Sequence, residues 1–127
     1  MRFRYTILYV ADLQATLGFY ERAFGLKPRL VHDMGYAELD TGATVLAFMA
    51  QDALRSMGKT PGAPSQAMPA FEIAFEVDDV QAAFDTAVAG GAKAVTAPKD
   101  MPWGQTISYV ADPDGFLVEI CSVVVHP

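Results

Sequence analysis

Two stretches of this chain are near-repeats of each other, and that duplication limits the possible folds more than any other property. Tyr5-Thr-Ile-Leu-Tyr-Val-Ala-Asp-Leu-Gln-Ala-Thr-Leu near the start is answered by Glu72-Ile-Ala-Phe-Glu-Val-Asp-Asp-Val-Gln-Ala-Ala-Phe further along. In both, an apolar stretch runs into an Asp and then into apolar residues at helical spacing, so Val10 matches Val77, Asp12 matches Asp79 and Leu17 matches Phe84. The later halves correspond as well. Asp40-Thr-Gly-Ala-Thr-Val-Leu-Ala-Phe aligns with Asp112-Pro-Asp-Gly-Phe-Leu-Val-Glu-Ile, which puts Ala47 in the place of Glu119. A repeat of this length marks a duplicated structural unit, and neither copy is large enough to be stable without sharing a core. The expectation is a single domain over residues 1–127, with a first module over about 1–50, a connection over about 51–69 and a second module over about 70–127.

Hydrophobic residues make up 52% and charged residues 19%, so the chain has material for a sizeable core and lacks the composition of a disordered segment. The net charge of -6 argues against nucleic acid, whose phosphates require clustered Lys and Arg, and favours a cationic or neutral small ligand. Asp12 cuts the N-terminal apolar run too short for a secretory signal core or a membrane span, so a cytoplasmic protein with no membrane partner is expected. Cys121 is the single cysteine, which excludes an internal disulfide and a cysteine-based zinc site and suits a reducing compartment.

Tyr5 to Val10 reads as a strand buried on both faces. Asp12 then offers a helix N-cap, Leu13, Leu17, Tyr20 and Phe24 form one helical stripe, and Gly25 supplies a left-handed C-terminal stop. Short strands are expected over Arg29–His32, Tyr36–Leu39 and Thr44–Met49, the last entered through the turn chemistry of Asp40-Thr-Gly-Ala. Gly and Pro are dense from Gln51 to Pro69, with room for a helical turn over Asp52–Met57. The second module repeats the order: strand Phe71–Val77, a helix capped by Asp78 or Asp79 and stopped at Gly90-Gly91, and a strand over Lys93–Thr96. A hairpin of Gln105–Val110 and Phe116–Val123 about Asp112-Pro-Asp-Gly completes it. Strand parity places Phe71, Ile73, Phe75 and Val77 under the helix with Val118 and Ile120, leaving Glu72, Ala74, Glu76, Leu117, Glu119 and Cys121 on the open face. By the repeat, Tyr5, Ile7 and Tyr9 share the first module's open face with Val45, Ala47 and Met49.

Two βαβββ modules, the opening Tyr-Val-Ala-Asp-Leu-Gln-Ala-Thr-Leu-Gly-Phe-Tyr-Glu and the closing Asp-Pro-Asp-Gly-Phe-Leu-Val-Glu-Ile resemble the vicinal oxygen chelate superfamily. That group holds lactoylglutathione lyase, bleomycin resistance proteins, fosfomycin-inactivating enzymes and extradiol dioxygenases. The resemblance implies an α+β fold of two tandem modules around a concave, sheet-lined cleft, commonly in a homodimer; the motif speaks to fold and not to activity. In metal-using members each module supplies two ligands, one from its first strand and one from its last, commonly His and Glu. Carried over, those positions are Tyr5, Ala47, Glu72 and Glu119. Glu119 alone keeps the usual ligand type at its place. Ala47 has no donor, the Tyr5 phenol stays protonated at neutral pH, and Glu72 stands where His is usual. His32 and His126 lie on a peripheral strand and at the tail. The resemblance thus implies neither the two-His-one-carboxylate iron site nor the zinc or nickel site of lactoylglutathione lyase.

What remains is a carboxylate pair, Glu72 and Glu119, whose mutual repulsion suits a cationic group, a divalent metal such as Mg²⁺ or Mn²⁺, or acid–base chemistry; the bland alternative is two solvated or tyrosine-bonded acids without a task. Trp103 either stacks on a planar ligand or plugs a loop. Tyr9 and Tyr109 suit a small-molecule pocket or the core, and Cys121 reads as a buried inert thiol. Three readings follow. The first is a metal-free small-molecule binder of the bleomycin-resistance type, with no cofactor, contacting its ligand through Tyr5, Ile7, Tyr9, Ala47, Glu72, Trp103, Tyr109, Glu119 and Cys121. The second is a divergent lyase or isomerase using Glu119 and Glu72, with a divalent metal as the alternative cofactor. The third is an auxiliary domain without a ligand.

Overall fold

The computed structural model describes residues 1–42 and 44–125. Ala43 of the first turn, His126 and Pro127 lie outside the described residues. The element order is β1 (Tyr5–Val10), α1 (Leu13–Phe24), β2 (Pro28–His32), β3 (Tyr36–Leu39), β4 (Val45–Ala50), α2 (Gln51–Ser56), β5 (Ile73–Glu76), α3 (Val80–Ala89), β6 (Lys93–Met101), β7 (Gln105–Ala111) and β8 (Leu117–Cys121). The strands form two four-stranded sheets of the same topology, β1-β4-β3-β2 and β5-β8-β7-β6. The protein is thus α+β, with the βαβββ order present twice. The chain clusters into two compact units, Met1–Glu21 with Gly25–Gly62, and Arg22–Phe24 with the chain from Ala63 onward.

In the first unit, β1 runs parallel to β4, which pairs antiparallel with β3, and β3 with β2. Asp12 caps α1 by accepting a hydrogen bond from the Ala15 amide at 3.0 Å, satisfying a donor that the first helical turn leaves open. Gly25, at φ 69, ends the helix in the left-handed conformation that a side chain would resist. The face of the sheet beneath α1 carries Leu8, Val10, Ala37, Leu39, Leu46 and Phe48, all buried, and the Tyr20 ring lies 4.7 Å from that of Phe48. Burial of this stripe holds helix and sheet together at roughly 1.5–3 kcal/mol per large side chain.

The second unit repeats these devices. Asp79 accepts from the Ala82 amide at 3.0 Å, and Val80, Phe84 and Ala87 of α3 are buried in the core together with Ser108, Val110, Val118 and Ile120. Ser108 donates its hydroxyl to the Ile120 carbonyl at 2.8 Å and so enters the core without an unpaired polar atom. The β7–β8 turn closes on Asp112, whose Oδ1 accepts from the amides of Asp114, Gly115 and Phe116. Gly115 sits there at φ 102, and an added Cβ would lie 3.1 Å from the Pro64 carbonyl oxygen.

Several elements differ from the sequence expectation. β5 is Ile73–Glu76 and not Phe71–Val77, because β8, its one partner among the described residues, pairs with no residue before Ile73. Phe71 is consequently 50% exposed, against the edge of the Phe116 ring, instead of lying under the helix. β6 runs on to Met101 where a strand ending at Thr96 was expected; register shifts at Ala94/Thr96 and Thr96/Lys99 absorb Pro98 and let the ladder resume. The turn expected at Asp52–Met57 is the helix α2, which buries Leu54. Among the described residues no helix is long and apolar enough to cross a membrane.

Candidate functional site

The register of each sheet brings together residues that are far apart in sequence. In the second sheet, Ala74 of β5 lies opposite Glu119 of β8, and Glu119 opposite Tyr109 of β7. In the first, Ile7 lies opposite Ala47, and Ala47 opposite Glu38. Ile7 and Ala47 therefore hold the ladder positions of Ala74 and Glu119, as the sequence repeat requires. Glu38 holds the position of Tyr109.

On the open face of the second sheet, the Tyr109 hydroxyl donates to Glu119 Oε2 at 2.6 Å. Glu72, in the residue just before β5, is within side-chain hydrogen-bonding reach of both Glu119 and Tyr109. Loss of hydration and the neighbouring Glu119 raise the Glu72 carboxyl above its ordinary range, with the Tyr109 hydrogen bond opposing. Glu72 retains solvent access, so the push is screened while its direction stands. The Tyr109 phenol is raised in turn, chiefly by its bond to Glu119. Cys121 is buried one ladder step away, its thiol 3.7 Å from the Phe75 carbonyl; burial, then Glu119, pushes it up to about 11. Such a thiol is a poor nucleophile at neutral pH.

Of the remaining candidates, Trp103 stands apart. It occupies the β6–β7 turn, exposed, and its indole N–H donates to Gln105 Oε1 at 2.8 Å. Gln105 and Tyr109 are four steps apart on β7, roughly 13 Å at a strand's rise, so Trp103 is not gathered with the acid pair. Tyr5, Ile7, Tyr9 and Ala47 line the open face of the first sheet; Tyr5 and Ile7 are exposed, and Ala47 is wholly covered between Ile7 and Glu38.

That first-sheet face also holds a charged cluster with no counterpart in the sequence reading. Glu38, only 7% exposed, accepts from Arg29 Nε and Nη2 at 3.1 and 2.9 Å on one oxygen and from the Tyr36 hydroxyl at 2.7 Å on the other. These bonds, Tyr36 first and Arg29 second, hold the Glu38 carboxyl below its usual range in spite of burial. Alternation along Tyr36-Ala-Glu-Leu was the available signal: Ala37 and Leu39 belong to the core, so Tyr36 and Glu38 must share the other face. His32 ends the edge strand β2 with its ring stacked on Tyr36. A further cavity of about 490 Å³, also unforeseen, lies at the start of α3 among Asp79, Gln81, Lys99, Asp100, Thr106 and Ser122. Thr106 and Ser122 have the parity of the helix-covered side, so this cavity is separate from the Glu119 face.

The donor chemistry does not fit the transition-metal centre that the inherited positions would hold. Glu72, within hydrogen-bonding reach of Glu119, is pushed toward its protonated form, Tyr109 occupies one Glu119 oxygen, and Ala47 contributes a methyl group. Among the described residues no three His, Cys, Asp or Glu side chains cluster suitably.

Comparison with known proteins places this geometry in context. Residues 2–120 match the Glyoxalase/Bleomycin resistance protein/Dioxygenase superfamily. A Vibrio cholerae protein described as a probable lactoylglutathione lyase is 28% identical over an alignment of 131 positions, covering 94% of this chain and 88% of that protein. The Bacillus subtilis protein YraH is 27% identical over 117 residues, covering 89% of this chain and 91% of its own. The crystal structure of a glyoxalase-related enzyme from Fulvimarina pelagi superposes with a TM-score of 0.83 at 24% identity, covering 96% of this chain and 88% of that one.

Proposed function

This chain belongs to the Glyoxalase/Bleomycin resistance protein/Dioxygenase superfamily, and from that premise we propose that it binds a small cationic or aromatic molecule without a tightly bound transition metal. The observation that carries this reading is the meeting of Glu72, Glu119 and Tyr109 on the open face of the second sheet. Two carboxyls in contact gain from any cationic group that enters between them, and the Tyr109 ring adds a surface for an aromatic body. Zn²⁺ in a catalytic site wants three protein ligands, and the inherited positions supply two carboxyls, a phenol and a methyl group. The exposed Tyr5 and Ile7 on the first sheet support a homodimer, since an apolar face of this kind is normally covered. The lone buried Cys121 supports residence in a reducing, cytoplasmic compartment.

Elemental analysis of freshly purified protein, paired with titration of a cationic aromatic dye, tests the reading. Metal-free protein should bind the dye, and Glu119→Gln should weaken binding and flatten its salt dependence. About one equivalent of Zn, Ni or Fe per chain, lost in Glu119→Gln, would overturn it. The alternative is a divergent lyase or isomerase using Glu119 with Glu72. It is favoured by the raised proton affinity of Glu72, which suits a general acid, and by the description of the Vibrio cholerae relative. Formation of lactoylglutathione that disappears in Glu119→Gln would establish it. Light scattering that returns a monomer mass at micromolar concentration would remove the dimer.

A further inference from the structure

We propose that the Arg29 guanidinium, clamped by Glu38 on the open face of the first sheet, is a receptor for a carboxylate carried on a planar aromatic body. Arg29 commits Nε–H and one Nη2–H, both to Glu38 Oε1. A guanidinium carries five N–H donors, so three remain, and its side chain is 41% exposed. The other Glu38 oxygen is taken by Tyr36, so the carboxylate is fully engaged and fixes the guanidinium from beneath.

Stability alone does not call for this arrangement. A buried ion pair is commonly replaced by apolar residues of similar volume without loss, and the neighbours of Glu38 across the ladders, Ala47 and Leu30, are apolar already. What the pair supplies is a guanidinium whose orientation is set before any ligand arrives, the condition under which ordering costs least. A planar fork with free N–H groups matches a carboxylate. The surroundings select what the carboxylate is attached to. The His32 and Tyr36 rings stack with centroids 6.2 Å apart, and the Arg4 guanidinium lies 5.6 Å from the centroid of the Tyr5 ring. Arg4 also acts on Glu38. With Glu38 neutralising one guanidinium, the second leaves this cluster positive within a chain of net charge -6, so attraction of an anion is local to the face.

Backbone amide NMR during titration with benzoate, benzamide and inorganic phosphate tests the assignment on the intact chain. Benzoate should give saturable shifts at Arg29–His32 and Tyr36–Leu39, weakened by added salt, while the neutral benzamide and the ring-less phosphate bind several-fold more weakly. Arg29→Lys keeps a cation beside Glu38 but loses the planar fork, so it should fold and bind benzoate several-fold more weakly. Benzamide or phosphate binding as well as benzoate, saturable shifts confined to other segments, an absence of shifts at millimolar benzoate, or unchanged affinity in a folded Arg29→Lys would each overturn the proposal. Should Arg29→Lys unfold, the location of the wild-type shifts and the benzoate–benzamide contrast decide it without that variant.

Discussion

The two units carry the same motif in opposite electrical states. Each has a glutamate on the open face of its sheet that accepts a short hydrogen bond from a tyrosine, 2.7 Å from Tyr36 to Glu38 in the first and 2.6 Å from Tyr109 to Glu119 in the second. Glu38 also meets Arg29, whereas Glu119 meets Glu72. Glu38 is the more buried of these acids, yet it is held in the charged form; Glu72 is exposed, yet it is pushed toward the protonated form. Desolvation works in the same direction on both carboxyls. Partners decide the outcome: two donors overcome burial at Glu38, and a second acid adds to it at Glu72.

Removing the cation is the strongest way to break this contrast. Arg29→Met leaves the buried Glu38 carboxylate with Tyr36 alone and should cost on the order of 2 kcal/mol, below the loss for a fully buried pair because Arg29 is partly solvated. Glu119→Gln removes one member of a repelling pair and should change stability by less than about 0.5 kcal/mol. Urea unfolding measures both, and equal losses would mean that the two acids share one environment.

The tyrosines give the next largest effect. Tyr36→Phe removes a donor from a buried charged acceptor and should cost about 1.5 kcal/mol, while Tyr109→Phe acts beside a carboxyl that is only half-buried and should cost about 1 kcal/mol. A larger loss at Tyr109 would reverse the assignment of which acid is the more dependent on its tyrosine.

pH separates the units by sign. Glu38 has a lowered native pKa, so its contribution is present above the unfolded value, with 4.5 as reference, and is lost as pH falls through the native value. Glu72 has a raised native pKa, so its contribution is complete below 4.5 and is lost as pH rises through the native value. Stability measured against pH should therefore lose part of its acid-side decline in Glu38→Gln and part of its decline above 4.5 in Glu72→Gln. Parallel curves for wild type and Glu72→Gln would show that the acids in the second unit do not interact.

Cys121 provides the smallest and most local reading. With its thiol pushed up to about 11 by burial and by Glu119, it should react slowly with a disulfide reagent at neutral pH. Glu119→Gln should speed that reaction modestly, since burial is the larger cause and remains. An unchanged rate would place Glu119 too far away to matter.

Most of the architecture is visible in the residue order. Asp12 and Asp79 announce both long helices, Gly25 ends the first, and Asp112-Pro-Asp-Gly turns the last hairpin, because caps and turns are local and depend on a few adjacent side chains. The ends of β5 and β6 were not visible. A strand stops where its partner stops, and Phe71 carries no mark that β8 fails to reach it. The same limit applied to the site. The repeat points to Glu72 and Glu119 by equivalence, and the hairpin brings Tyr109 against Glu119, but the cluster of Arg29, Tyr36 and Glu38 forms only through the pairing of β2 with β3. Equivalence to known ligand positions marks Ala47 and not its cross-strand neighbour Glu38.

From its order of residues alone, this protein's duplicated βαβββ plan, its helix caps and the faces of its strands were determined, since each follows from chain-local periodicity and turn chemistry. The charge states of Glu38 and Glu72 were decided by tertiary structure alone. An isolated glutamate is the same group at position 38, 72 or 119, and only the register of neighbouring strands determines whether it faces a guanidinium, a phenol or another acid.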